Sequence, residues 1–338
     1  MIVSADGSGD FTTVQDAIDA IPADNTKPMR IHIKNGIYKE KIRLEKPYVT
    51  LVGEDKDRTI ITYDDHANKL FPNGEPYGTF NSYTILFGAH DITAQNLSFV
   101  NSAGKAGRVG QALAAYVDGD RTSFYNCRFL GHQDTLFTGP LPKKPVQGSS
   151  FGGPRESEDR GQIRQYYENC YIEGDVDFIF GSATAVFNRC EVFSLTRDTG
   201  QPEGDHSAPR KVHGWITAAS TREHVEFGYV FIHCQLKSNA PAQTYYLGRP
   251  WRNYAKSVFI SCWLGEHIIK EGWHNWNKPE AEQTVQYGEY NSSGPGAANE
   301  KRCSWSTVMN AEEAARFTIS NILSGEDGWD PVVNDHDI

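Results

Sequence analysis

Five of the chain's six cysteines close the same short phrase. They stand in FYNCRFL (Cys127), YENCYIE (Cys170), FNRCEVF (Cys190), FIHCQLK (Cys234) and FISCWLG (Cys262), and AQNLSFV around Asn96 fits the frame without the thiol. Each phrase enters on an aromatic or polar residue, passes a small or polar centre and leaves through alternating apolar positions, the period-two pattern of a strand. The cysteines follow one another at 43, 20, 44 and 28 residues. These intervals hold one or two units of about 20–22 residues plus loops, the fixed period of a solenoid. Units so short hold strands and tight turns, not helix pairs. Stacked, they give an all-β parallel β-helix whose rungs bond to each other at about 4.8 Å. Equivalent side chains then form inward ladders, and Cys127, Cys234 and Cys262 read as core filler. Cys170 and Cys190, one rung apart, either join that ladder or bond to each other.

Open solenoid ends need covering. TTVQDAIDAIP carries apolar residues at Val14, Ala17, Ile18 and Ile21 and reads as a short amphipathic helix ending at Pro22. NAEEAARF opens with Asn310 as an N-cap and Glu313 three residues on, a capping-box start. A capping helix at each end fits one domain over residues 1–338. The content of 12% aromatic and 22% charged residues, with 31 Gly and 16 Pro, suits a turn-rich β protein.

A net charge of −10 without a basic stripe argues against a nucleic-acid partner, and no apolar run is long enough to span a membrane. The start, MIVSADGSGDFTTVQ, lacks the basic and apolar regions of a signal peptide. The expected compartment is therefore the cytoplasm if Met1 is the native start, and secretion if a leader has been removed. With no C-x-x-C, no H-E-x-x-H and no EF-hand-like loop, neither a metal nor a cofactor is expected.

Two carboxylates stand in apolar surroundings: Asp134 in GHQDTLF and Asp177 in DVDFIFG. Unpaired buried charge is costly and usually has a partner or a chemical task. Gln111 and Gln133 are 22 residues apart, about one rung. Between Asp134 and Asp177 lies Gly139–Gly161, rich in Gly, Pro, Ser and charge and therefore expected as a surface loop. Without it, Gln111, Gln133, Asp134 and Asp177 fall on three consecutive rungs. Two amides can donate to a developing oxyanion, one carboxylate can attack a carbonyl, and a second can move protons. A cation would keep one ionised, and that charge would raise the other's pKa. YLGRPW offers Arg249 as the cation and Trp251 as an aromatic sugar platform. Against this stands a plain reading: Gln and Asp often cap strand ends and turns. GSSFG at Gly148–Gly152 matches a serine-hydrolase pattern, but that motif needs a strand before it and a helix after it.

GIYKE, GQALA, GHQDTL, DFIFG and LGRPW, in that order, resemble the signature blocks of pectin methylesterases, and the likeness runs from DGSGDFTTVQDAI to WDP. The resemblance implies a right-handed parallel β-helix that hydrolyses methyl esters of galacturonate in pectin. By motif, Asp177 is then the nucleophile, Asp134 the general acid and then base, Gln111 and Gln133 the oxyanion hole, and Arg249 the residue holding Asp177. Thr79 matches a substrate-binding threonine, and Val176, Phe180 and Trp251 match residues lining sugar subsites. Cys170 and Cys190 match a pair that is disulfide-bonded in some members. The implied partners are pectin or methylated oligogalacturonides, with no cofactor, and a monomer is expected. His132 departs from the family's usual Tyr, and Gly139–Gly161 is longer than in plant members. Alternatives are a β-helix esterase or thioesterase on another substrate, or a catalytically silent carbohydrate-binding relative. A lyase or polygalacturonase would need a different set of carboxylates and cations.

Overall fold

The computed structural model describes residues 1–146, 148–158, 160–198, 211–297 and 299–332. Strands of two to six residues assemble into three parallel sheets. Among the described residues the first sheet has eleven strands, from Ile2–Val3 to Thr307–Val308. The second has eight, from Gly36–Lys39 to Trp263–Leu264, and the third seven, from Ile42–Leu44 to Tyr245–Gly248. The chain visits them in turn. Thr122–Tyr125 lies in the first, Arg128–Leu130 in the second and Leu136–Thr138 in the third, before Arg164–Glu168 re-enters the first. This is the parallel β-helix that the cysteine spacing requires.

The repeated phrase is the corner between the first two sheets. The residue before each ladder cysteine is left-handed: Asn126 (φ 53°), Asn169 (51°), Arg189 (53°), His233 (54°) and Ser261 (51°), with Asn96 (54°) in the frame that lacks the thiol. Asn tolerates this conformation because its short amide bonds locally. The Asn126 amide donates to Asn96 Oδ1 at 2.6 Å. After the corner the cysteine points inward, and its thiol donates to a carbonyl one rung back. Cys127 bonds Ala94 O (3.4 Å), Cys170 Phe124 O (3.5 Å), Cys190 Tyr167 O (3.4 Å), Cys234 Phe187 O (3.2 Å) and Cys262 Phe231 O (3.5 Å). All five are free thiols in one buried column. Cys170 and Cys190 therefore belong to the ladder in this structure, and the alternative of a bond between them is not what it holds.

Beside the thiols runs a column of stacked rings. Phe124, Tyr167, Phe187, Phe231 and Phe259 follow one another at centroid spacings of 4.9, 4.6, 4.5 and 4.5 Å. In-register pairing forces this repetition, because each residue faces its equivalent on the next rung. Phe187 is fully buried between two such neighbours. Phe187→Ala is expected to cost about 3–5 kcal/mol of stability, since the fixed rungs cannot close the cavity. A fall in the denaturant midpoint at unchanged m-value is the result that checks it.

At the start, Val14–Asp19 is a helix whose Thr13 cap accepts from the Asp16 N–H, and Val14, Ala17 and Ile18 seal the first rungs. At the other end Asn310 and Glu313 make the reciprocal capping box, opening the helix Ala311–Ala314. This helix and Ile319–Leu323 lie along a flank, not over the last rung. Ala314, Ile322 and Leu323 cover Tyr166, Val186, Val230 and Val258, which face outward in register on the first sheet. The tail then runs back: Asp327 pairs with Arg121 (3.0 Å) and Arg164 (2.6 Å), and Tyr125 donates to Pro331 O at 2.5 Å. The reason is apolar area. Those strands are hydrophobic on both faces, and the outer face needs a cover. Gly139–Gly161, expected at the surface, is also partly built in, with Leu141 and Arg155 buried. Within it Ser150 of GSSFG donates to Glu156 and lies on no strand or helix, which removes the serine-hydrolase reading. No helix among the described residues is long and apolar enough to cross a membrane.

Candidate active site

The outer face of the third sheet carries a cleft. Leu86, Tyr116, Phe137, Phe180 and Ala218 follow one another in register along it. Three neighbouring rungs deliver the polar groups. Gln111 precedes the strand Ala115–Val117, and Gln133 and Asp134 precede Leu136–Thr138. Asp177 is the second residue of Val176–Gly181. The Ala112 N–H donates to Gln133 O (3.2 Å) and the Asp134 N–H to Val176 O (2.9 Å), tying these entries together.

Asp177 reaches the cleft through a broken alternation. Strict alternation in VDFIFG would turn Asp177 inward with Ile179. Instead pairing with the next strand shifts between Val176 and Ile179, Asp177 is left-handed at φ 50°, and Phe178 and Ile179 both enter the core. A bulge of this kind re-aims one side chain. Asp134 is also left-handed, at φ 63°. Such backbone is costly for a non-glycine residue and gathers at functional sites.

Arg249 comes from two rungs further on, just after Tyr245–Gly248. Its side chain spans about 10 Å of stacked backbone, crossing the rung that carries Trp215 and the small Ala218. The guanidinium grips Asp177 with two parallel bonds, Nε to Oδ1 at 2.8 Å and Nη2 to Oδ2 at 2.6 Å. The rings of Trp215 and Trp276 each lie 3.7 Å from its carbon. The cation is thus held in one plane by two aromatic faces while its fork meets the carboxylate.

Asp134 has no such partner. Among the described residues no protein group bonds its carboxyl, and the Gln111 and Gln133 amides are also left unengaged. Burial pushes the Asp134 pKa well above the carboxylate range, and the charge of Asp177 pushes it further. Burial is also the largest influence on Asp177 and raises it, while Arg249 pulls back. The sequence assigns Arg249 as the cation that keeps one carboxylate ionised. In the fold it offsets burial only in part, yet the order survives: Asp177 ionises before Asp134.

Thr79, Gln111, Gln133, Asp134, Asp177, Phe180, Arg249 and Trp251 all line one cavity of about 310 Å³, together with Phe80, Phe151, Ala218 and Trp276. Val176 is buried and does not line that cavity; its carbonyl accepts from the Asp134 N–H. His132 turns aside, its Nδ1 3.3 Å from Asp175. Trp215, Trp276, Phe80 and Phe151 went unnoticed in the sequence. The tryptophans lie in HGWITA and GWHNWN, where nothing marks them as neighbours of one arginine. No cluster of metal-ligating side chains occurs among the described residues.

Fold and site together define a parallel β-helix protein whose cleft carries a clamped and an unclamped carboxylate. The pectinesterase family model matches residues 1–141 and 160–326. Pectinesterase 31 of Arabidopsis thaliana is 34% identical over 331 residues, covering 96% of this chain and 92% of that one. The carrot pectin methylesterase structure superposes with a TM-score of 0.79 at 29% identity, covering 96% of this chain and 93% of its own. A pectin methylesterase solved with a hexasaccharide gives 0.77 at 28% identity, with 98% of each chain covered. The chain belongs to the pectinesterase family of carboxylic ester hydrolases, and its fold is that family's right-handed parallel β-helix.

Proposed function

We propose that the chain hydrolyses methyl esters of galacturonate in pectin, releasing methanol, with Asp177 as nucleophile. The observation that carries this is the unequal carboxylate pair: Asp177 gripped by a bidentate guanidinium, and Asp134 buried beside it with no such partner, its pKa raised by burial and by the charge of Asp177. Asp177 attacks the ester carbonyl carbon, and charge gathers on the carbonyl oxygen. The free amides of Gln111 and Gln133 are the donors in reach of that oxyanion. As the tetrahedral adduct collapses, Asp134 gives its proton to the departing methoxide, which leaves as methanol. The acid is now a base. It takes a proton from water, the hydroxide adds to the acyl carbon, and the Asp177 carboxylate is expelled as the galacturonate acid forms. Thr79, Phe180 and Trp251 hold the sugar, Trp251 by its ring face. No step requires a cofactor.

Highly methylated pectin mixed with the protein should yield methanol and titratable carboxylate in equal amounts. Carboxylate without methanol would point to another ester, and neither product would end the reading. Gln111→Ala should lower kcat about 10²–10³-fold with little change in KM, since a donor to developing charge acts in the transition state. A fall confined to KM would make Gln111 a binding group instead.

A further inference from the structure

The family match stops at residue 141 and resumes at 160. The segment between lies outside the family match, yet Phe151 from it lines the cleft. Phe151 lines the cavity, its ring 5.5 Å from Phe80 at 88° and 6.1 Å from Trp251 at 76°. Edge contacts of this kind make it a wall standing against the Trp251–Phe80 floor.

The wall is fixed from several sides. Glu156 accepts from the Ser150 hydroxyl (2.5 Å) and from the Phe151 and Gly152 N–H groups (2.6 and 2.9 Å), which sets the backbone under the ring. The Asn81 amide, on the same turn as Thr79, donates to Gly152 O at 2.6 Å. Gly153 lies so close to Phe80 that an added Cβ would come within 2.6 Å of the Phe80 Cβ. Below, Arg155 is anchored to Asp118 (2.9 Å) and Glu45 (2.8 Å). Nothing about an unrelated surface insertion demands an aromatic residue held this way at the mouth of the cleft.

We propose that residues 148–158 form a substrate-binding wall, with Phe151 packing on the apolar C–H face of a galacturonate ring next to the one whose ester is cleaved. The inference rests on the pectin methylesterase reading. The Phe151 ring carries no group that can give or take a proton and serves ground and transition states alike. Glu156 is a positioning residue that sets the ring through the backbone.

The test compares wild type, Phe151→Ala, Phe151→Tyr and Glu156→Ala on methylated oligogalacturonides. Phe151→Ala should raise KM about three- to tenfold, the value of one aromatic contact, with kcat within about twofold. Phe151→Tyr should restore KM. Glu156→Ala should raise KM in the same sense, and the double variant should add little to Phe151→Ala. Wild-type melting temperatures in each variant separate this from misfolding. Quenching of tryptophan fluorescence by the same oligosaccharides reads binding without turnover. If the wild type releases methanol and Phe151→Ala keeps its KM and quenching, the wall is wrong and the activity stands. A lower KM in Phe151→Ala would also overturn it, because the ring would then be obstructing the cleft. Absence of methanol from the wild type would instead remove the activity beneath both.

Discussion

Asp177→Ala should abolish methanol release, by at least about a thousandfold, because the first covalent bond has no other donor of an electron pair. Asp134→Ala should be nearly as severe, since among the described residues lining the cavity no other carboxyl is free to carry the proton for the loss of methoxide and the attack of water. The two variants should part in stability. Removing Asp177 leaves the Arg249 guanidinium, 13% exposed and stacked between indoles, without its counter-charge. That loss is destabilising. Removing Asp134 takes away a buried carboxyl with no partner. Its folded pKa lies above its unfolded one, so folding favours the protonated form. The strain is absent below the ordinary carboxylate pKa and grows as pH rises above it. Asp134→Asn should therefore melt higher than wild type at neutral pH and at the same temperature as wild type in acid, while being inactive. Thermal melts at both pH values check the sign. More than a few per cent of wild-type turnover in Asp177→Ala would remove it as nucleophile.

Much of the molecule was legible because a solenoid writes its geometry along the chain. The left-handed corner at Asn126 and Asn169 needs a residue that tolerates it, and the next residue must fit a shared core column. The phrase around each cysteine records both needs. Register then carried Gln111, Gln133, Asp134 and Asp177 to neighbouring rungs by arithmetic alone. Three things escaped for physical reasons. The bulge at Asp177 is a backbone event, and VDFIFG reads equally well as a plain buried strand. The grip of Trp215 and Trp276 on Arg249 joins residues 34 and 27 positions away from it. Stacking across rungs depends on where each intervening loop ends, and composition does not say. The place of the C-terminal helices was missed although a signal existed: YYE, AVF and VFI are apolar on both faces, which calls for a covering layer.

The electrostatic order of the two carboxylates rests on Arg249, and its removal should show in the pH profile. Burial raises Asp177, and Arg249 is the largest influence opposing it. The acidic limb of kcat/KM reports the group that must be deprotonated to attack. In Arg249→Met burial is opposed only by the weaker charges of Lys278 and Arg197, so that limb should move upward in pH. Activity should be lost first at the acid end and return in part as the pH rises. Asp134 feels Arg249 too, but its rise comes first from burial and then from Asp177. With Asp177 protonated, the second influence disappears, and the two carboxyls approach one another in pKa. The bell should therefore narrow as it moves. Arg249→Lys keeps the charge, and should recover part of the acidic limb. It cannot fill the flat slot between Trp215 and Trp276 or meet both carboxylate oxygens at once. Its kcat should stay low even where its pH dependence is close to normal. An acidic limb unmoved in Arg249→Met would mean that the arginine only orients Asp177, and the charge argument for the pair would fail.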